Sequence, residues 1–152
     1  MQEGGAQDEG LTVCPLCGEE IGNHPFHRDR NRDYYRCTCC GLTHVPPRYH
    51  LSPSEERQEY EKHQNSSDDE GYRRFLSRLF VPLNNRLRPT SKGLDFGSGP
   101  GPTLSVMFEE AGHRMQLFDP FFADNRELLA REYDFVTASE VVEHFRDPAA
   151  DL

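Results

Sequence analysis

Five cysteines carry the first chemistry legible in the 152-residue chain, and they fall as Cys14-Pro-Leu-Cys17-Gly and Cys37-Thr-Cys39-Cys40-Gly. The two C-x2-C-G pairs are separated by 19 residues, 18–36, a spacing that belongs to four-cysteine zinc sites. A C-x2-C turn points two thiolates at one tetrahedral centre, and the glycine after it lets the backbone turn while its amide faces a sulfur. Cys14, Cys17, Cys37 and Cys40 are therefore the expected ligands of a structural zinc, and Cys39 is left over. Such an ion substitutes for the hydrophobic core that a module of about 35 residues cannot build. A thioredoxin-like redox role would need one pair beside a strand, not two pairs in a polar segment. His24 and His27 read as loop residues, because four cysteines already close the site.

A second group lies in the other half of the chain. Gly93-Leu94-Asp95-Phe96 reads as a buried strand, and it runs into Gly97-Ser98-Gly99-Pro100-Gly101. A helix is expected from Pro102, with Leu104, Met107, Phe108 and Ala111 on one face and Gly112 as its stop. A strand over 113–118 ends at Asp119, and another over 133–138 ends near Ser139. Strand, glycine loop, helix, strand and acid is the βαβ logic of a nucleotide-binding crossover. The glycines let the backbone approach the ligand, the helix N-terminus faces it, and the acid accepts hydrogen bonds from ribose hydroxyls. The first glycine and the acid are 119 − 97 = 22 residues apart, close to the expected ~20. The loop reads G-x-G-x-G rather than the dinucleotide pattern G-x-G-x-x-G, which disfavours a nicotinamide oxidoreductase.

The run Leu94–Gly101 resembles the first motif of class I S-adenosylmethionine-dependent methyltransferases. Phe118-Asp119-Pro120 is similar to their second motif, and residues 133–145 resemble the segment at the end of their fourth strand. The resemblance covers about 92–152 and implies an α/β fold with a Rossmann-like sheet, here its N-terminal half. It also implies that Asp95, Gly97, Ser98, Gly99 and Gly101 hold the methionine end of the cofactor, that Asp119 holds the ribose, and that Ser139 joins the cofactor set. Some methyltransferases with an ExxEH run at this point hold a divalent ion with it. In this chain that run is Glu140, Glu143 and His144, expected on one helical face at i, i+3 and i+4, with donors suited to a hard or borderline cation. The plainer reading is a polar pocket rim, with His144 as general base near its unperturbed pKa of ~6.5 and Glu140 beside it. The cysteine knuckles resemble the zinc-ribbon family, over residues 11–45.

Two intervals depart from the methyltransferase pattern. Only 13 residues, 120–132, separate Asp119 from the strand at Tyr133, so the usual third strand is shortened or absent. The chain stops at Leu152, before three further strands of the family's sheet. It reads as a fragment or truncated form whose activity needs the remaining half, with the fourth strand left as an uncovered edge.

The elements that must position these groups follow from the rest of the chain. Residues 1–10 read as a disordered tail, 11–45 as the ribbon, 46–90 as a helical linker with docking helices, and 91–152 as the partial S-adenosylmethionine-binding domain. Ser52-Pro53-Ser54-Glu55 is a capping box that opens a solvated helix over about 53–63. Ser67-Asp68-Asp69-Glu70 is a second box, before a helix with Tyr72, Phe75, Leu76, Leu79, Phe80 and Leu83 at helical period. Pro82 is expected to end or kink that helix.

Composition bounds the function. Lys and Arg number 17 against 26 Asp and Glu, a formal charge of −9, with 35% hydrophobic residues and a mean hydropathy of −0.81. The acid excess argues against a broad phosphate-binding surface, although Arg28, Arg30, Arg32 and Arg36 allow a local RNA contact on the ribbon. No apolar run approaches ~18 residues, and no secretory signal opens the chain, so a cytoplasmic location and no membrane partner are expected. The expected activity is methyl transfer from S-adenosylmethionine to an acceptor the sequence does not identify. The alternative is a zinc-ribbon interaction module carrying a non-catalytic nucleotide-binding fold.

Overall fold

Residues 12–51 are too polar to fold around an apolar core, and they fold around the cysteines instead. The computed structural model describes residues 12–61 and 66–151, so the tail expected over 1–10 lies outside the described residues. Strand β1 (Thr12–Val13) pairs antiparallel with β2 (Glu20–Ile21). Strands β3 (His27–Arg28), β4 (Asp33–Arg36) and β5 (Thr43–His44) make a second antiparallel sheet in that order. Both C-x2-C-G turns close the same way. The amide of Gly18 donates to the Cys14 carbonyl and that of Gly41 to the Cys37 carbonyl, each at 3.0 Å. The buried set is Cys14, Ile21, Tyr35 and Cys37, with Leu42 against it. Four side chains cannot offset the chain entropy of such a module without a further source of binding energy. His27 belongs to β3 rather than to a loop, its ring 5.7 Å from that of Tyr34. Residues up to Leu51 form one unit with Phe145–Asp151, which includes α4 (Pro148–Asp151); a second unit spans Ser52–His144.

The second unit opens on α1 (Pro53–Glu61), capped as its box requires. The Ser52 amide donates to Glu55 Oε2 at 2.8 Å, and the Glu55 amide donates to Ser52 Oγ at 3.4 Å. Helix α2 (Glu70–Asn84) is capped not by Ser67 but by Asp69, whose Oδ1 accepts from the amides of Gly71 at 2.7 Å and Tyr72 at 3.0 Å. A carboxylate one residue before the helix reaches those free amides and suits the positive end of the helix dipole. Pro82 lies inside α2, which continues to Asn84. Leu76 is buried, and Tyr72, Phe80 and Leu83 pack beside it. Phe75 and Leu79, expected on the same face, are exposed.

Three parallel strands form the sheet: β6 (Lys92–Phe96) in the centre, β7 (Arg114–Phe118) on one side and β8 (Phe135–Thr137) on the other. In register, Gly93 lies between Met115 and Phe135, and Asp95 between Leu117 and Thr137. Helix α3 (Thr103–Glu110) makes the crossover from β6 to β7. Successive residues point to opposite faces, and each face has its own core. Leu104, Met107 and Phe108 of α3 join Leu76, Met115 and Phe135 on one side. Leu94 and Phe118 meet Leu128 on the other, with Phe96 and Tyr133 against them. Leu128 comes from a 3-10 turn, Arg126–Ala130, which is the one regular element described between β7 and β8. The chain leaves β6 toward one neighbour and later returns to the other. In open α/β sheets ligands bind at that reversal, in the crevice outside the carboxyl ends of the strands. No helix among the described residues is long and apolar enough to cross a membrane.

Candidate functional site

The carboxyl ends of β6, β7 and β8 bring the glycine loop, Asp119 and Glu140 to one end of the sheet. The loop is pinned to β7, because the amides of Gly97 and Ser98 donate to the Phe118 carbonyl at 2.7 and 3.2 Å. Gly97 has φ +73°, and a β-carbon there would stand 2.5 Å from Val141 Cγ2, so only glycine allows the residues after β8 to close on the loop. Gly99 has φ +62° for a different reason. A β-carbon there would meet nothing within 4 Å, so its bare backbone faces open space.

Asp119 is held by three amides. Its Oδ2 accepts from Gly99 at 2.9 Å, and its Oδ1 accepts from Phe121 at 2.8 Å and Phe122 at 3.0 Å. A carboxylate oxygen accepts about two bonds, so Oδ2 keeps a lone pair for a further donor such as a ribose hydroxyl. Two buried hydroxyls at the loop, Ser98 Oγ and Thr103 Oγ1, have no hydrogen-bond partner. Leaving such a group unpaired costs about 1–3 kcal/mol, and a polar ligand in the cradle would relieve it. An open glycine backbone, a spare carboxylate lone pair and orphaned hydroxyls fit a nucleoside-bearing cofactor with a polar tail.

Asp95, expected at the methionine end, faces inward. Ser105 Oγ on α3 donates to its Oδ2 at 2.9 Å, and Thr137 Oγ1 on β8 donates to its Oδ1 at 2.8 Å. Burial pushes its carboxyl above the usual range, against the pull of both hydroxyls. Ser139 is half-buried just past β8, and Glu140 follows with φ +57°, a left-handed conformation that costs a non-glycine residue about 1–2 kcal/mol. Strain of this kind is concentrated at functional sites.

Glu140, Glu143 and His144, for which a divalent-ion site is one of two readings, are not brought together as a metal-ligating set among the described residues. Among the described residues, the four cysteines are the one set of three or more metal-ligating side chains brought together. The reason is local. Glu140 takes the left-handed turn, and Val142–His144 is a single 3-10 turn, so the α-helical i, i+3, i+4 face never forms.

The ribbon cysteines do converge. All four Sγ atoms lie within 4.8 Å of one another, with Cys14 and Cys40 at 3.6 Å and Cys17 and Cys37 at 3.5 Å. A tetrahedral zinc with ~2.3 Å bonds spaces its sulfurs by roughly 3.8 Å, so the donor set fits that ion. The Cys40 amide, opposed by burial and helped by the Cys39 amide, holds the Cys37 thiol down to about 7. Backbone amides are thus already aimed at a thiolate. Cys39 is exposed and outside the set.

Four site residues carry no sequence signal of their own. Thr103 opens α3, Phe121 and Phe122 follow Asp119-Pro120, and Tyr60 reaches the site from α1. Its ring lies 6.2 Å from that of Phe121 and edge-on to that of His144 at 5.5 Å.

A family described as a methyltransferase domain matches residues 60–152. No curated protein and no solved structure matches the chain.

Proposed function

Because the chain belongs to the methyltransferase-domain family, we propose that it binds S-adenosylmethionine on a Rossmann-like sheet and directs its methyl group to an acceptor. The observation that carries this reading is the loop at the end of β6. Gly99 opens its backbone to free space while its amide holds Asp119, and Ser98 Oγ lies buried without a partner. When bound, the cofactor supplies a methyl group already activated by its sulfonium. The protein's share is positioning, which brings reacting atoms into line and excludes water.

In this assignment Asp119 Oδ2 accepts from the ribose, and the Gly97–Gly101 backbone with the Ser98 and Thr103 hydroxyls receives the methionine end. Asp95 acts one step back, tying β6 to β8 and α3 through Thr137 and Ser105. Ser139 and Glu140 shape the wall beyond β8, and His144 takes the acceptor's proton. The four cysteines hold one structural zinc that keeps the ribbon folded.

Calorimetric titration with S-adenosylhomocysteine tests the assignment. Asp119→Ala should weaken binding by about 1.5–3 kcal/mol, roughly ten- to a hundredfold. Gly99→Val should abolish it, since a β-branched side chain resists the φ of +62° and fills the cradle. Binding of NADH in place of S-adenosylhomocysteine would overturn the reading.

A further inference from the structure

Helix α1 has no buried residue, and only Glu56 and Tyr60 of its nine are half-buried. They are four apart and share one face. Tyr60 does more there than cover surface. Its ring touches Phe121, which the Asp119 carboxylate anchors at the end of β7, and His144, which follows β8. One side chain therefore spans the two sides of the crevice that opens at the end of β6.

We propose that Tyr60 is a cofactor-binding residue, its ring forming the outer wall of the crevice against the nucleoside of S-adenosylmethionine. The proposal rests on the cofactor reading above and adds to it an element that precedes the sheet. An aromatic wall supplies what the glycine loop lacks. The loop gives polar backbone and the Asp119 carboxylate, which orient a nucleoside but do not desolvate it, whereas a ring packs on a base or sugar with a large apolar area and only two torsions to order. Phe121 and Phe122 continue that apolar surface, with ring centroids 6.4 Å apart, and the Arg57 guanidinium lies over the Phe122 ring, 5.8 Å from its centroid. The Tyr60 hydroxyl stays neutral. Burial first, then the carboxylates of Glu56, Asp119 and Glu143, push the phenol up to about 12. It stays protonated in the field of carboxylates from α1, the end of β7 and the turn after β8. Because α1 buries nothing else, Tyr60 contributes little to the core, and its loss should spare the fold.

The test uses the whole chain and S-adenosylhomocysteine as probe. By calorimetry, Tyr60→Ala should bind roughly three- to tenfold more weakly, the worth of an aromatic contact, and Tyr60→Phe should stay within about twofold, since the ring is kept. The chain contains no tryptophan, so Tyr60→Trp gives a single-tryptophan reporter that keeps an aromatic wall even if the alanine variant proves unstable. Its emission should shift as the ligand saturates. Equal affinity of wild type and Tyr60→Ala, or a ligand-saturated Tyr60→Trp with unchanged emission, overturns the proposal and leaves the cofactor reading standing. Absence of binding to the wild-type chain overturns the cofactor reading itself, and this proposal with it.

Discussion

Asp95 shows how little of a single residue's surroundings its place in the sequence reveals. Its position before the glycine loop is legible in the sequence, but the partners of its carboxylate are not, because Thr137 stands 42 residues away and meets it only through the pairing of β6 with β8. The consequence is measurable. Burial raises its pKa in the folded state, so between the unfolded value of ~3.9 and the raised folded value the native state binds the proton more tightly. Stability contributed by this residue is then greatest at acid pH and declines as pH rises through that window. Asp95→Asn keeps an acceptor for one hydroxyl and removes the titration. The stability difference, variant minus wild type, should therefore become more favourable to the variant between pH 4 and pH 7 in urea melts. A difference that stays flat would mean the carboxylate ionises in the fold as freely as in the unfolded chain. The same logic explains what the sequence reveals of the rest of the site. Gly97, Gly99 and Asp119 are legible because a bare backbone and an acid at a fixed interval are local requirements. Thr103, Phe121 and Tyr60 carry ordinary residue types, and only tertiary contact distinguishes them.

Among the elements, α2 separates periodicity from packing. Six apolar residues recur at helical spacing, yet only Leu76 is fully buried, with Tyr72, Phe80 and Leu83 beside it. The Phe80 ring meets Phe108 of α3 at 4.9 Å, and Phe108 meets Phe135 of β8 at the same distance. The helix thus docks through a narrow stripe, and Phe75 and Leu79 fall on its flank. Leu76→Ala should cost about 2–5 kcal/mol, the range for a buried leucine whose cavity closes only in part. Phe75→Ala should stay within about 0.5 kcal/mol. Thermal or urea melts of the two variants check this pair, and a large loss at Phe75 would show that its exposed ring is packed in solution. Capping illustrates the same limit from the other side. The Ser52–Glu55 box forms as written, whereas at α2 the competition among Ser67, Asp68 and Asp69 is settled by which side chain reaches the first free amides. Several neighbouring cap residues compete, and sequence alone does not rank them.

For the molecule as a whole, the proposed zinc implies that its two units draw stability from different sources. The cluster of Cys14, Ile21, Tyr35 and Cys37 shares no residue with the clusters on the two faces of the sheet. The sheet unit has an apolar core of ordinary kind, with Phe108 fully enclosed, and its stability follows from area removed from water. The ribbon has four buried side chains and a convergent set of four thiols. Binding of a structural zinc by such a module is worth about 10–16 kcal/mol and is its folding energy. Removing the metal should therefore act on one unit alone. We expect one zinc per chain by elemental analysis, and its release by a strong chelator or by Cys14→Ser or Cys37→Ser. Amides over residues 12–45 should then lose protection from hydrogen exchange, while those of β6, β7 and α3 keep theirs. Cys39→Ser should retain the zinc, because that thiol stands outside the tetrahedral set. Protection of the ribbon that survives complete loss of metal would show that the polar module holds itself together. Loss of protection in the sheet on chelation would show that the two units do not fold independently.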